Sequence, residues 1–361
     1  MGTDFPLVTG LILACGLNPA GVLTLFGLMQ IGTGLLYGLP MAVQPLKAMA
    51  AIAIAQKIEP GVLFGGGLAI GLLMFVLTLT GLLTWVIRLV PESVVRGVQL
   101  GLGLSLAGLA LKDYAGRDGA AGFWLAGVCL LVALLLTGNR RWPPALVLIG
   151  LGLIYALLRS LAGDAWHLVP QVRVPSFSIP QTDDILTGFW LLAVPQLALS
   201  ISNSVVATQQ TVRDLFPDRP LTIRKIGLTY AVMNLINPFF GGIPTCHGSG
   251  GIAGHYAFGA RTGGSVVLYG SMYLFIGLFF SDSFGQVIQL FPMPMLGVIL
   301  LMESLTLMGF SRSVMHDRKQ LFVTLLVAVI ALNVPNGYAW GLLLGTGMHY
   351  LLERGWLLRD F

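Results

Sequence analysis

Charge is scarce in this sequence: Asp, Glu, Lys and Arg together make up 10% of its residues, against about 25% in an average soluble domain. A surface built for water is thereby excluded. Cysteine is nearly missing too. Cys15, Cys129 and Cys246 sit in apolar or glycine-rich surroundings without metal-ligand spacing, so neither a disulfide framework nor a metal module is implied. No basic segment precedes the first apolar run, which argues against a cleaved signal peptide. Ser/His/Asp and zinc-ligand patterns are lacking as well. An enzyme inside the membrane is therefore the weakest reading, and no cofactor or metal is expected.

What the sequence has instead is hydrophobicity. Of 361 residues 56% are hydrophobic, and the mean hydropathy is +0.85. Stretches such as 145–158 and 321–334 are apolar on every face, whereas strands of a membrane barrel alternate. The chain reads as an all-α integral membrane protein whose partners are the lipid bilayer and a small solute. Its net charge of +5 belongs to positive loops rather than to a nucleic-acid surface.

Two runs break this apolar background. The first is 38–48, with Pro40, Gln44, Pro45, Lys47 and Ala48; the second is 241–251, with Pro244, Thr245, Cys246, His247, Gly248, Ser249, Gly250 and Gly251. Non-helical backbone at membrane depth is tolerated only where it is buried in protein or lines a cavity. Two such breaks at matching places in two halves point to the binding site of a secondary transporter. Each leads into a short apolar helix, expected over 45–57, where Pro45 suits the first turn, and over 249–258, where Ser249 suits the N-cap. Full spans are expected at 20–37, 61–89, 93–111, 122–136 and 144–161, then 185–206, 221–240, 265–280, 294–308, 321–334 and 338–352. The run 5–17 is too short to cross alone, so it is either a partial span or the end of one that starts upstream.

The polar interval 163–184, with Pro170, Pro175 and Pro180, divides the chain into halves 1–163 and 164–361. Counting the broken elements gives about fourteen elements, seven per half. Because seven is odd, the second half enters the membrane in the opposite sense, which makes a 7+7 inverted repeat. Pro40 matches Pro244, and Gly97-Val98 matches Gly297-Val298, both about 200 residues apart. With the N-terminus inside, the inner links hold fourteen of the twenty Lys and Arg and the outer links five, leaving Lys47 within the membrane. That bias puts both termini on the cytoplasmic side. The chain stops directly after the last helix, with no room for a soluble C-terminal domain.

The runs around Pro40–Ala48 and Cys246–Gly251, the latter followed by Gly259-Ala260-Arg261-Thr262-Gly263, resemble the two signature stretches of the molybdate transporter family. That family lies within the sulfate-permease-like superfamily and shares its fold with uracil and xanthine permeases. The resemblance covers nearly the whole chain, departing at Ala42, where proline is usual. It implies core and gate domains, a site between the two half-helices, and movement of the core that gives alternating access. It also implies molybdate as substrate, with tungstate or sulfate as relatives, in a bacterial cytoplasmic membrane. A sulfate or bicarbonate transporter of the same fold and a passive anion channel stay open as alternatives, as does assembly into a homodimer.

The candidate substrate residues are Gln44, Pro45, Lys47, Ala48, Gln196, Ser200, Asn203, Thr245, Cys246, His247, Gly248, Ser249 and Gly250. Gln196, Ser200 and Asn203 fall at i, i+4 and i+7, one helix face. In permeases of this fold the position aligned with Asn203 is often a glutamate. Lys47 would cost about 2.5 kcal/mol or more as an unpaired charge at a helix centre. It reads as an anion ligand or ion-pair partner, with snorkelling as the plain alternative. Two helix N-termini, each carrying about half a positive charge, plus one ammonium come to about +2, matching a dianion. Glu303 and His247 are the candidates for proton coupling. Against those roles stand a helix–helix hydrogen bond for Glu303 and a capping contact for His247.

Overall fold

The computed structural model describes residues 4–139, 141–162, 170–257 and 259–354. The first half runs α1 (Asp4–Cys15), α2 (Pro19–Tyr37), β1 (Val43–Pro45), α3 (Lys47–Gln56), α4 (Pro60–Leu79), α5 (Leu83–Leu89), α6 (Glu92–Leu109), α7 (Gly119–Leu135) and α8 (Pro144–Ala162). The second runs α9 (Thr182–Gly188), α10 (Val194–Leu199), α11 (Thr208–Leu215), α12 (Ile223–Ile236), β2 (Thr245–His247), α13 (Ser249–Ala257), α14 (Gly264–Phe279), α15 (Ser281–Leu290), α16 (Met293–Gly309), α17 (Arg318–Asn333) and α18 (Gly337–Glu353). Segments of π-helix extend α6 over Ala110–Ala115 and join α9, α10 and α11 through Phe189–Ala193 and Ser200–Ala207. A 3₁₀ turn, Phe310–Val314, closes α16.

Helices dominate because lipid offers backbone groups no partner, so each segment must satisfy its own. Among the described residues, five helical stretches are long and apolar enough to cross a membrane: Pro19–Tyr37, Pro60–Leu79, Glu92–Ala115, Thr182–Leu215 and Met293–Val314. Their ends follow local rules. Asn18 Oδ1 accepts from Ala20 N at 2.9 Å to cap α2, Pro19 takes the first helical position, and Gly38 ends the helix with φ 61°, a left-handed conformation that glycine adopts without strain. The span expected at 61–89 is instead two helices, because Gly81 turns at φ 75° between α4 and α5. A second short helix, α15, also unforeseen, follows α14. α2 and α14 pack with their backbones close. A Cβ on Gly27 would lie 2.5 Å from Leu274 N, and one on Gly34 would lie 2.8 Å from Gly263 O, the tight approach that small residues permit between membrane helices.

The centre of the fold is the antiparallel pair β1–β2, with Val43 opposite His247, Gln44 opposite Cys246 and Pro45 opposite Thr245. Each strand is held from behind by a buried amide. Gln30 of α2 donates Nε2 to Val43 O at 2.7 Å and accepts Val43 N at 2.9 Å. Asn234 of α12 does the same to Thr245, at 2.6 and 2.9 Å. Both amides are fully buried, so every hydrogen bond they make replaces one to water that is out of reach. Thr33 Oγ1 donates to Met41 O at 2.9 Å and Asn237 Nδ2 to Ile243 O at 2.9 Å, extending the two clamps. The structure corrects the place of Pro45. It ends β1 rather than opening the helix, and α3 begins at Lys47 after Leu46, whose N–H bonds Pro244 O at 3.0 Å. Pro45 has no N–H to lose at a strand end.

Candidate functional site

α3 and α13 start from opposite ends of the strand pair. At α3 the first free N–H groups do not face an open space: Gln196 Oε1 accepts Ala48 N at 2.9 Å and Met49 N at 3.2 Å. Gln196 Nε2 in turn donates to Ser200 Oγ at 3.0 Å, which shares a 2.7 Å bond with Tyr230 Oη. Ala48 and Ser200 thus build the scaffold, and Gln196 is a side-chain cap on the half-helix. At α13 the capping position belongs to Gly248, whose carbonyl accepts Gly251 N at 3.1 Å and Ile252 N at 3.3 Å. Ser249, expected there, is already helical and donates Oγ to Asn203 Oδ1 at 3.2 Å. Gln44 lies across this first turn: a Cβ on Gly248 would collide with Gln44 Oε1, and one on Gly251 would sit 3.4 Å from Gln44 Nε2. A side chain at 248 would have to displace the Gln44 amide.

Where the two half-helices begin, a narrow gap of about 10 Å³ is lined by Lys47, Gln99, Gln196, Leu199, Asn203, Ser204, Cys246 and Phe310. That is the room of about one water. Asn203 and Ser204 reach it from the π segment Ser200–Ala207, the kind of local bulge that recurs at functional sites. A cavity of about 610 Å³ adjoins the gap through Gln99, Asn203 and Phe310, and is walled further by Arg96, Ala198 and Ser249. A second cavity of about 520 Å³ reaches Lys47 from the other side, past Gln44, Gly250, His255, Tyr269 and Asp4. Asp4 is buried there and accepts Tyr269 Oη at 3.3 Å.

The structure therefore gathers Lys47, Gln196, Asn203 and Cys246 at one gap, with Ser249 beside it and Gln44 and Gly250 on the flank of Lys47. Thr245 and His247 face away. Side chains alternate across a strand, and with Cys246 in the gap its neighbours turn toward α12. Thr245 Oγ1 accepts Asn237 Nδ2 at 3.1 Å, and His247 Nε2 pairs with Thr229 Oγ1 at 2.7 Å, beside the Tyr37 ring. Cys246 and His247 on opposite faces cannot converge on one ion. Glu303 stands on α16, but its side chain lies outside the described residues; Arg140, between the spans expected at 122–136 and 144–161, and 163–169 of the polar interval lie outside them too.

Sequence reading missed Gln99, Arg96 and Phe310 of the facing wall. A lone glutamine in the apolar α6 makes no stripe. The nearest available signal was the charge three residues before it.

A sequence model described as "Molybdate transporter of MFS superfamily" matches residues 1–106 and 188–307. "Molybdate transporter 2" of Arabidopsis thaliana is 32% identical over 98% of this chain and 85% of its own length. "Molybdate transporter 1" of the same plant is 33% identical, over 95% and 85%. Among solved structures, the transmembrane domain of a cyanobacterium bicarbonate transporter superposes with a TM-score of 0.69 over 94% of both chains at 16% identity, a likeness of fold.

Proposed function

Since this chain belongs to the molybdate transporter family and is a membrane transporter rather than an enzyme, we propose that it carries a tetrahedral oxyanion, molybdate first, as a secondary transporter working by alternating access. The observation that carries this reading is the gap between β2, the start of α3 and the facing α6. Lys47, at the N-terminal end of α3, supplies its positive charge, while Gln196, Asn203 and Ser204 offer polar groups. Helix N-termini and an ammonium favour a small anion. A gap of about 10 Å³ between cavities of about 520 and 610 Å³ is too tight for the ion. The anion enters when α6 and Phe310–Val314 shift against α10, β2 and α13. In this reading the gate comprises α6 to α8 and α16 to α18, and the core the rest.

The 7+7 inverted repeat divided at 163/164 belongs to the same proposal. Its support is the matched pair of clamps, Gln30 on Val43 and Asn234 on Thr245, and the short helices α5 and α15. The distribution of Lys and Arg supports the orientation, with both termini cytoplasmic. Tungstate is the expected close competitor. Sulfate, a smaller tetrahedral dianion, is the second candidate substrate.

Countertransport of labelled molybdate in proteoliposomes tests the function. A transporter saturates and exchanges label against unlabelled molybdate inside the vesicle. A flux that rose linearly with concentration and showed no exchange would instead identify an anion channel. Competition among molybdate, tungstate and sulfate for the purified protein then sets the substrate.

A further inference from the structure

The wall of the gap that faces the half-helices contains a cation tied into an unusual set of contacts. Arg96 of α6 donates Nη1 to Gln99 Oε1 at 3.1 Å, Nη2 to Glu92 Oε1 at 2.8 Å, and Nε to Glu92 Oε1 at 3.1 Å and Ser313 Oγ at 3.0 Å. The guanidinium rests over the Phe310 ring, 5.6 Å from its centroid. Of its five N–H groups, these bonds occupy one on each nitrogen and leave two. Arg96 lines the cavity of about 610 Å³ together with its ion-pair partner Glu92, and Asn203 and Ser249 line it too. Gln99 lines both that cavity and the gap at Lys47. It is buried, only 4% exposed, and its Oε1 is fixed by Arg96. The amide is thereby oriented: the NH₂ group is its remaining end, and no acceptor for it is found among the described residues.

We propose that Arg96 and Gln99 form a capture site for a tetrahedral oxyanion, in which the two remaining N–H groups of Arg96 take the anion in the cavity and Gln99 Nε2 passes it to Lys47. The proposal rests on the transport reading above and adds a site on the gate wall to it. Its chemistry follows from the groups present. A planar guanidinium pairs well with an oxyanion, and a donor-only amide end binds an anion and rejects a cation. An anion held by Gln99 and Lys47 together would join α6 to α3, so that occupancy draws the gate wall onto the half-helices. The alternative is structural: Arg96 merely ties α6 to Phe310–Val314 through Ser313.

Molybdate exchange and equilibrium binding, measured on the full chain in liposomes, separate these. Arg96→Gln should raise KM for exchange by about tenfold or more while leaving the maximal rate within about twofold, and Arg96→Lys should recover part of the loss. Gln99→Met, close in shape, should weaken binding about tenfold or more, the size of one hydrogen bond to a charged group. Gln99→Glu should abolish it. Raising ionic strength should raise KM of the wild type and move that of Arg96→Gln much less, because the screened attraction is already gone. Ser313→Ala keeps the charge and should exchange like the wild type. Wild-type KM in both Arg96→Gln and Gln99→Met would overturn the site, and so would a Ser313→Ala variant that reproduced the Arg96→Gln defect. A wild type that bound molybdate, tungstate and sulfate not at all would overturn the transport reading itself, and this site with it.

Discussion

Replacing Gln196 in two ways should move stability and anion binding in different directions. Its Oε1 holds two N–H groups at the start of α3, Ala48 at 2.9 Å and Met49 at 3.2 Å, in a setting where Gln196 is 1% exposed. Gln196→Leu keeps the volume and removes the acceptor. A buried donor left unsatisfied costs about 1–3 kcal/mol, so two of them cost about 2–6 kcal/mol, and the variant should melt clearly lower in detergent. Gln196→Glu keeps the acceptor and puts a carboxylate at the positive end of a helix, which is worth about 0.3–2 kcal/mol. Its melting temperature should lie above that of Gln196→Leu, because the acceptor is kept, although the buried carboxylate carries a desolvation cost and the donor to Ser200 is lost. The same carboxylate stands at the gap proposed for the dianion. At a separation of about 6 Å and an effective dielectric of about 20, a charge of −1 repels one of −2 by about 5 kcal/mol, more than three decades in affinity. The assay is a thermal melt with a molybdate binding curve on each variant. A Gln196→Glu protein that is stable and binds molybdate with wild-type affinity would show that the anion does not occupy the gap. A Gln196→Leu protein that melts with the wild type would remove the capping role.

Lys47→Ala should weaken molybdate binding about 30-fold or more, because truncating one member of a buried charge pair costs about 2–5 kcal/mol at about 1.4 kcal/mol per decade; Lys47→Arg should not fully restore it, since the planar group needs more space. Unchanged affinity in Lys47→Ala would make Lys47 a structural or snorkelling residue. Asn203→Ala should weaken binding without altering the pH dependence of uptake, as an amide has no proton to release; loss of pH-driven uptake with binding intact would contradict this. Arg141→Cys should react with an impermeant thiol reagent only from the cytoplasmic side, and labelling from outside intact cells would reverse the orientation.

The broken elements were legible because glycine and proline inside an apolar chain have few other uses at such depth, and Lys47 because a cation there demands an explanation. Gln196 and Asn203 were found by their spacing, although the segment carrying Asn203 is π-helical rather than uniformly α. The i+7 step still brings Asn203 to the gap with Gln196, while Ser200 at i+4 is drawn aside by Tyr230. Which side of β2 faces the gap was not legible. Strand alternation requires Thr245 and His247 to share a face opposite Cys246, but the face that turns inward is decided by Thr229 and Asn234 on the neighbouring helix and Asn237 just past its end. These three polar residues in an apolar stretch looked like nothing more than interruptions. Their hydrogen bonds to Thr245 and His247 hold those side chains away from the gap. The half-helix end at Ala48 loses its donors to Gln196. In the proposed site, direct hydrogen bonding by the α3 backbone is therefore replaced by side chains: Lys47, Asn203 and, from the opposite wall, Gln99. A site made of side chains on several elements, rather than of backbone on two, can be opened by moving one wall, which is what alternating access requires of it.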